Sequence, residues 1–276
     1  MNKEDFFIKH VSSSKYIGDD GALIDDIVYS SDSFFEDVHF KISWMSLKQI
    51  AIKSMLVNIS DAIVMNSIPK YAILNIAIPN KFNKKDLKFL ASGFRKIAKK
   101  YDIDIIGGDT ISNDKLHISI TLISTILKDS KPILRKGANK NDLVCYTGVL
   151  GSCKKDLTKL LNSKKISNES KFIKPILKDK FFYEASPYIN CAIDISDGLF
   201  SELERLSKIN FIGFDFFYDI SKRIGCSGEE YEILFTYDIK NREKIEKIAK
   251  KHDVVLNTFA KCIKGSYKNI CKLNHF

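Results

Sequence analysis

Apolar periodicity switches between strand-like and helical along this chain, and it does so in both halves. Residues 27–30 read as a short strand ending in Ser30-Ser31-Asp32. From 46 to 66 the positions Leu47, Ile50, Met55, Ala62 and Met65 recur at helical spacing, and Pro69 closes the segment. Residues 71–78 have strand-like content and stop at Pro79-Asn80, and 84–101 carry Leu87, Leu90, Phe94, Ile97 and Ala98 on one helical face. A strand at 103–106 runs into Gly107-Gly108-Asp109-Thr110, and 116–127 form another. After Arg135-Lys136-Gly137 the pattern restarts, with strands at 142–147, 192–195 and 231–237. Helices are expected at 154–180, 199–207 and 242–252. Strands followed by helices, twice over, predict a two-lobed α+β or α/β architecture. The boundary is expected near 136–140, where Lys, Gly and Asn cluster.

A chain of 276 residues buries enough surface to fold without staples. No apolar run approaches the ~20 residues needed to span a bilayer, the longest being interrupted at Asn75. The first residues carry acids and lead into no long apolar core, so no signal peptide and a cytoplasmic location are expected. The net charge of +10 invites a nucleic-acid reading. Only five basic residues are Arg, however, and the Lys are spread along the chain. That pattern suits a solvated surface better than a phosphate-backbone reader. The six Cys show no C-x-x-C and no paired His, so they are expected to be small buried hydrophobes and not zinc ligands.

The acids carry the chemistry. Five stretches set Asp beside Gly or Ser at turns or element ends: Gly18-Asp19-Asp20, Ser30-Ser31-Asp32, 58–61, Gly107-Gly108-Asp109 and 194–198. Three follow strand-like residues, which puts their carboxylates at strand ends. Carboxylates gathered in one pocket cannot all ionise without cations. Oxygen-only ligands select Mg²⁺ over zinc or copper, and the adjacent glycines let backbone N–H groups approach phosphate oxygens. Asp before Gly is also ordinary turn chemistry, and Ser-x-x-Asp an ordinary helix cap. Asp61 has few such explanations, because it falls inside an amphipathic helix pattern three residues after Asn58. There is no G-x-x-x-x-G-K-[ST] loop, no G-x-G-x-x-G and no G-x-S-x-G elbow. A nucleotide enzyme built on this chain therefore has to hold phosphate mainly through metal ions.

The motif series I-G-D-D-G-A-L (17–23), S-S-D (30–32), V-H-F (38–40), N-I-S-D (58–61), Y-D-I-D-I-I-G-G-D-T (101–110), D-I-S-D-G-L (194–199) and G-E-E-Y-E (228–232) resembles the thiamine-monophosphate kinase family. That family shares an ATP-binding superfamily with aminoimidazole ribonucleotide synthetase, selenophosphate synthetase and the hydrogenase maturation protein HypE. The match runs in order along nearly the whole chain, and the closing Asn274-His275-Phe276 is similar to the family's ending. The resemblance implies an enzyme that transfers the ATP γ-phosphoryl group to thiamine monophosphate, with several Mg²⁺ ions. It implies an N-terminal α+β domain (1–136) whose sheet forms a homodimer, and a C-terminal α/β domain (137–276) that completes the ATP and substrate site.

Carried over by motif, Asp20, Ser30, Ser31, Asp32, Asp61, Asp109, Asp194 and Asp197 would hold metal. Tyr101, Gly108, Asp109, Arg135 and Ser196 would contact ATP, while His39, Glu229 and the position of Leu273 would face the thiamine phosphate. No residue reads as an activated nucleophile, so direct transfer is expected. The chain departs from the family at three places. Glu36-Asp37-Val38 precedes His39 where a Gly-Asn is usual, Glu230 replaces an Asp, and Leu273 replaces an aromatic residue. It is also shorter than most members, with the loss between 150 and 225. Two alternatives are a superfamily ligase of the aminoimidazole ribonucleotide synthetase type and a non-catalytic basic nucleic-acid-binding protein. The second predicts salt-sensitive binding without ATP turnover. The acidic motif series favours neither.

Overall fold

The computed structural model describes residues 3–126 and 129–271. Before residue 127 the elements are α1 (Lys3–Val11), β1 (Ala22–Ile24), β2 (Ile27–Phe35), α2 (Leu47–Val64), β3 (Ser67–Pro79), α3 (Lys84–Tyr101), β4 (Asp104–Gly107), β5 (Thr110–Asn113) and β6 (His117–Ile126). After it come β7 (Leu143–Thr147), α4 (Ser152–Leu161), α5 (Asp179–Ala185), β8 (Cys191–Asp194), α6 (Leu199–Asn210) and β9 (Ile212–Phe216). The chain continues with α7 (Lys222–Gly225), β10 (Ile233–Tyr237), α8 (Arg242–Lys251) and β11 (Leu256–Lys264).

Local chemistry sets the two long helices. Ser46 caps α2, its side chain accepting from the Gln49 N–H while Gln49 reaches back to the Ser46 N–H. Asn83 and Asp86 do the same for α3, which ends on Asp102 in the left-handed region. The two helices nevertheless bury different amounts. α3 shows one buried stripe, whereas α2 is buried almost all round.

The first sheet runs β1-β2-β6-β3-β4, with β5 also beside β3. Pairing is antiparallel except for β4 and β5, which join β3 in parallel. Its rows separate two faces. Ser30, Leu122 and Ala72 align on the side that carries α2, and all three are buried. The adjacent row Tyr29–Ile123–Tyr71 lies on the other side, where Tyr29 and Tyr71 are exposed. The second sheet, β8-β10-β7-β11-β9, is antiparallel throughout, so both halves combine helices and strands as α+β. It is covered on both sides. Leu143 and Cys145 of β7 join the large core that also takes in α2, α3 and α5. Val144 and Tyr146 alternate onto the core under α6.

Three expectations need correcting. Ser30-Ser31-Asp32 does not end the strand that begins at 27: β2 runs on to Phe35, so these residues lie within it. Residues 154–180 do not form one helix: α4 stops at Leu161, 162–178 is irregular, and α5 begins at Asp179. Ser163 takes a positive φ of 57°, and Pro175 disfavours helix at the residue before it. Phe172 and Ile173 bury themselves in the large core instead of extending a helical face. Nor are the cysteines all free. Cys145, Cys153, Cys191 and Cys262 are buried thiols, but Cys226 and Cys271 form a disulfide. Strands β9 and β11, which complete the second sheet, are not anticipated from the sequence, although β9 alternates Ile212, Phe214 and Phe216 with Gly213 and Asp215.

Close packing of α2 on α3 depends on Gly93. A Cβ there would meet the Lys48 carbonyl oxygen and lie 2.7 Å from Ala51 Cβ. Gly93→Ala is therefore expected to destabilise the fold by about 1–3 kcal/mol despite alanine's better helix propensity. The denaturation midpoint measures it, and an unchanged or raised midpoint contradicts this packing.

Candidate active site

Turns, element ends and the middle of β2 deliver the acids to one place. Asp20 sits in the turn before β1, Asp32 on the α2 side of β2, Asp61 in the last turn of α2, and Asp194 at the end of β8. Ser196 and Asp197 follow in the turn that leads through Gly198, at φ 107°, into α6. Together with Ser31, His39, Arg135, Arg205, Glu229 and Tyr231 they line a cavity of about 400 Å³. Asp20, Asp61 and Asp194 each offer a carboxylate oxygen, and these atoms lie within 4.8 Å of one another.

Two hydrogen bonds from α2 hold acid-bearing strands of the site, and one of them joins the two halves of the chain. Ser60 Oγ donates to Asp194 Oδ2 at 2.8 Å, from the first half of the chain to the second. Asn58 Oδ1 accepts the Asp32 N–H at 3.0 Å, while its amide donates to the Ser54 carbonyl. The Arg135 N–H donates to both Asp19 carboxylate oxygens at 3.1 and 3.2 Å, so Asp19 ties the turn at 18–20 to the connection between the sheets.

Crowded carboxylates in a dry site hold on to protons. Burial, then the charges of Asp20 and Glu229, push Asp32 up to about 6. Burial and the neighbouring aspartates drive Asp61 and Asp194 well above the ordinary carboxylate range. Cations meet the rim of the cluster. Arg135 Nη2 lies 2.7 Å from Asp20 Oδ1, and Arg205 bridges Asp197 at 2.5 Å and the buried Glu202 at 2.6 Å. Asp20 Oδ2 is buried with no hydrogen-bond partner. His39 Nδ1 accepts the Phe35 N–H at 3.0 Å, which places the proton of the neutral ring on Nε2.

A second cavity of about 620 Å³ adjoins the first and shares His39, Ser196 and Glu229 with it. Its remaining walls include Trp44, Phe172, Leu157, Leu161 and Val38. An acid-lined chamber thus opens beside an aromatic one, with a histidine, a serine and a glutamate at the joint.

Not every expected residue gathers here. Ser30 is buried on the α2 side of β2 but does not line the cavity, and its hydroxyl has no hydrogen-bond partner. Ser31 lines the cavity, yet its hydroxyl pairs with Thr121 Oγ1 at 3.0 Å across the sheet. Tyr101, Gly108 and Asp109 lie away from both cavities. Tyr101 packs on the large core. Asp109 is exposed, its N–H donating to Asn75 Oδ1 at 2.8 Å. Leu273 lies outside the described residues. Arg205, Glu202, Trp44, Phe172 and Lys53 escape the motif reading. Glu202 and Arg205 stand three apart on a helix, a spacing that pairs side chains, and Lys53 interrupts an apolar run. The aromatic pair leaves no such signal.

The family model for "AIR synthase related protein, N-terminal domain" matches residues 18–126. The thiamine-monophosphate kinase of Bacillus subtilis (strain 168) is 35% identical over 229 residues, covering 75% of this chain and 68% of that one. The thiamine-monophosphate kinase of Buchnera aphidicola subsp. Schizaphis graminum (strain Sg) is 34% identical, covering 89% of this chain and 85% of that one. A solved structure, AaThiL complexed with AMPPCP and TMP, superposes with a TM-score of 0.82 at 21% identity, over 97% of this chain and 94% of that one. Fold, ordered motifs and relatives agree, and the chain belongs to the thiamine-monophosphate kinase family, an enzyme of that kind.

Proposed function

We propose that this enzyme transfers the γ-phosphoryl group of ATP to thiamine monophosphate, forming thiamine diphosphate. The observation that carries the reading is the pair of adjoining cavities, one rich in carboxylates and one with apolar walls that include Trp44 and Phe172, with Lys41 and Lys154 also lining it. Thiamine monophosphate has both characters, a phosphate and a flat cationic ring system. The aromatic cavity suits the rings and the acidic one the phosphates, with His39 and Glu229 at the joint. Arg135 and Ser196 would contact ATP on the acidic side.

An acidic cavity receives phosphates only if its charge is balanced. The donor set fits Mg²⁺: it is all oxygen, three carboxylates converge within 4.8 Å, and Asp20 Oδ2 is buried without a partner. Asp20, Asp61 and Asp194 would hold the ions, with Asp32 and Asp197 beside them. When bound, Mg²⁺ neutralises phosphate charge and aligns donor and acceptor. The chain itself supplies position. Ser60 holds Asp194 at the end of β8, Asn58 holds the backbone of β2 at Asp32, and Arg135 and Arg205 orient Asp20 and Asp197. Transfer is direct and in line, because no side chain in the cavity is an activated nucleophile. The buried thiols stay protonated, with Cys145 and Cys191 each pushed up to about 12 by burial.

Residues 1–136 supply most of the acids and 137–276 complete the site, and a second copy covers the outer face of the first sheet. The exposed Tyr29 and Tyr71, flanking Ile123 in one row, support that contact surface. Tyr101, Gly108 and Asp109, remote from the cavity within one chain, would act on ATP in that assembly. No helix among the described residues is long and apolar enough to cross a membrane, which is compatible with a cytoplasmic enzyme.

Three outcomes test the reading. ADP should form from ATP and Mg²⁺ only when thiamine monophosphate is present, not with thiamine or without an acceptor. Asp61→Asn should lower that rate by more than the about 10–100-fold typical of losing an outer-shell metal partner. Acceptor-independent ADP, or a trapped phosphoenzyme, contradicts it. The second outcome concerns pH. Asp32, Asp61 and Asp194 hold protons in the folded protein that the unfolded chain, with an ordinary carboxylate value of 3.8, releases. Their contribution to stability is full below that value and falls as pH rises above it, through about 6 for Asp32 and on to higher pH for Asp61 and Asp194. Without metal at about pH 7.5, Asp61→Asn should therefore melt at least about 2 °C above the parent, with the gap closing towards about pH 4. Mg²⁺ should raise the parent's Tm at the higher pH only; a pH-independent gap contradicts the charge argument. Finally, sedimentation should return the mass of two chains, and a single-chain mass rules out the dimer.

A further inference from the structure

Lys53 stands in the middle of α2 with its side chain wholly enclosed, at 0% exposure. Its Nζ lies 2.7 Å from Glu229 Oε2 and 3.9 Å over the ring of Phe172. The Phe34 ring is 5.7 Å away. Neither Lys53 Nζ nor Glu229 Oε2 has a partner in hydrogen-bond geometry, so the ion pair is what compensates each charge. A buried ammonium is retained only where a countercharge holds it.

Glu229 is the acid at the joint of the two cavities. Its backbone is held independently of Lys53. The Glu229 N–H donates to the Ser196 carbonyl at 2.6 Å, and the Tyr231 N–H to the Ile195 carbonyl at 2.9 Å. Between them, buried Glu230 accepts the Gly151 N–H at 2.7 Å and pairs with Lys171 at 2.5 Å. Glu229 and Tyr231 nonetheless sit at φ 61° and 49°, a region that non-glycine residues rarely adopt. Such strain persists where the surroundings demand a particular direction of the side chain. Here the direction brings the Glu229 carboxylate back onto Lys53, with Oε1 accepting from Tyr231 Oη at 3.3 Å.

We propose that Lys53 is a positioning residue for the phosphate-bearing acceptor: it fixes the Glu229 carboxylate at the joint of the two cavities and cancels a charge that would otherwise repel the acceptor's phosphate there. The inference rests on the acceptor reading given under Proposed function. Enclosed as it is, Lys53 does not touch the acceptor; it acts through Glu229. Phe172, on the wall of the aromatic cavity, packs against the same ammonium, so one cation steadies the joint and one wall together.

The test is a double-variant cycle read as a split between KM and kcat, using thiamine monophosphate and ATP with the full chain. Lys53→Met keeps the length of the stem and removes the charge. It should raise KM for thiamine monophosphate about tenfold or more. KM for ATP and kcat should stay within about twofold, since the charge acts on the acceptor alone. Introduced into Glu229→Gln, the same substitution should change KM for the acceptor by less than about twofold, because no charge remains to cancel. An equal penalty in both backgrounds overturns the inference, as does a loss shared between the two substrates. If Lys53→Met alone does not fold, the double variant must fold and match Glu229→Gln; a double variant that also fails to fold overturns it. A parent chain without acceptor-dependent ADP formation removes the acceptor reading itself. An active parent with additive variants removes this inference alone.

Discussion

Everything in this molecule depends on burying α2. A helix of 18 residues enclosed on nearly all sides must satisfy every polar side chain it carries. Ser54 bonds back to its own helix, Asn58 holds the backbone of β2, Ser60 holds Asp194 of β8, and Lys53 meets Glu229. Each of the last three partners comes from a different part of the chain. The helix is therefore both the centre of the large core and the jig that sets the spacing of the acids. A helix with one polar face could have stood at the surface, but it would have brought no strand ends together.

The same burial makes the site costly to maintain. Asp32, Asp61 and Asp194 are largely enclosed, close together and only partly compensated, and this raises all three towards protonation. Arg135 and Arg205 pair with Asp20 and Asp197, while no ion pair among the described residues reaches Asp32, Asp61 or Asp194. That is the usual relation between stability and function in a charged pocket: like charges held together destabilise the fold that carries them. The joint between the cavities solves the problem differently, with Lys53 as a built-in cation beside Glu229.

Much of this was legible in the residues. The extent of α3 follows from Asn83, Asp86 and its apolar stripe, and the break near 136–140 falls between the two sheets. The ordered acidic motifs point to Asp20, Asp32, Asp61, Asp194 and Asp197, all of which line one cavity. Local readings failed where the decisive contacts are distant. The stretch 154–180 has helical composition, yet Phe172 leaves the surface to join the large core. Lys53 is one Lys among many, and only the approach of the turn at 228–231 gives it a partner. Cys226 and Cys271 are 45 residues apart, and nothing in that spacing indicates their bond.

By itself, then, the sequence determined the kinds of element, their order and the chemical character of the site, because capping, periodicity and acid-bearing turns act over a few neighbouring residues. Tertiary structure alone decided which acids share a cation-sized space and which stand apart, as Asp109 does. It also decided that Arg205 and Lys53 belong to the site and that an aromatic chamber opens beside it. Most of those outcomes turn on distances between segments far apart in the chain, 134 residues for Ser60 and Asp194, where burial and Coulomb energy, not local propensity, set the result.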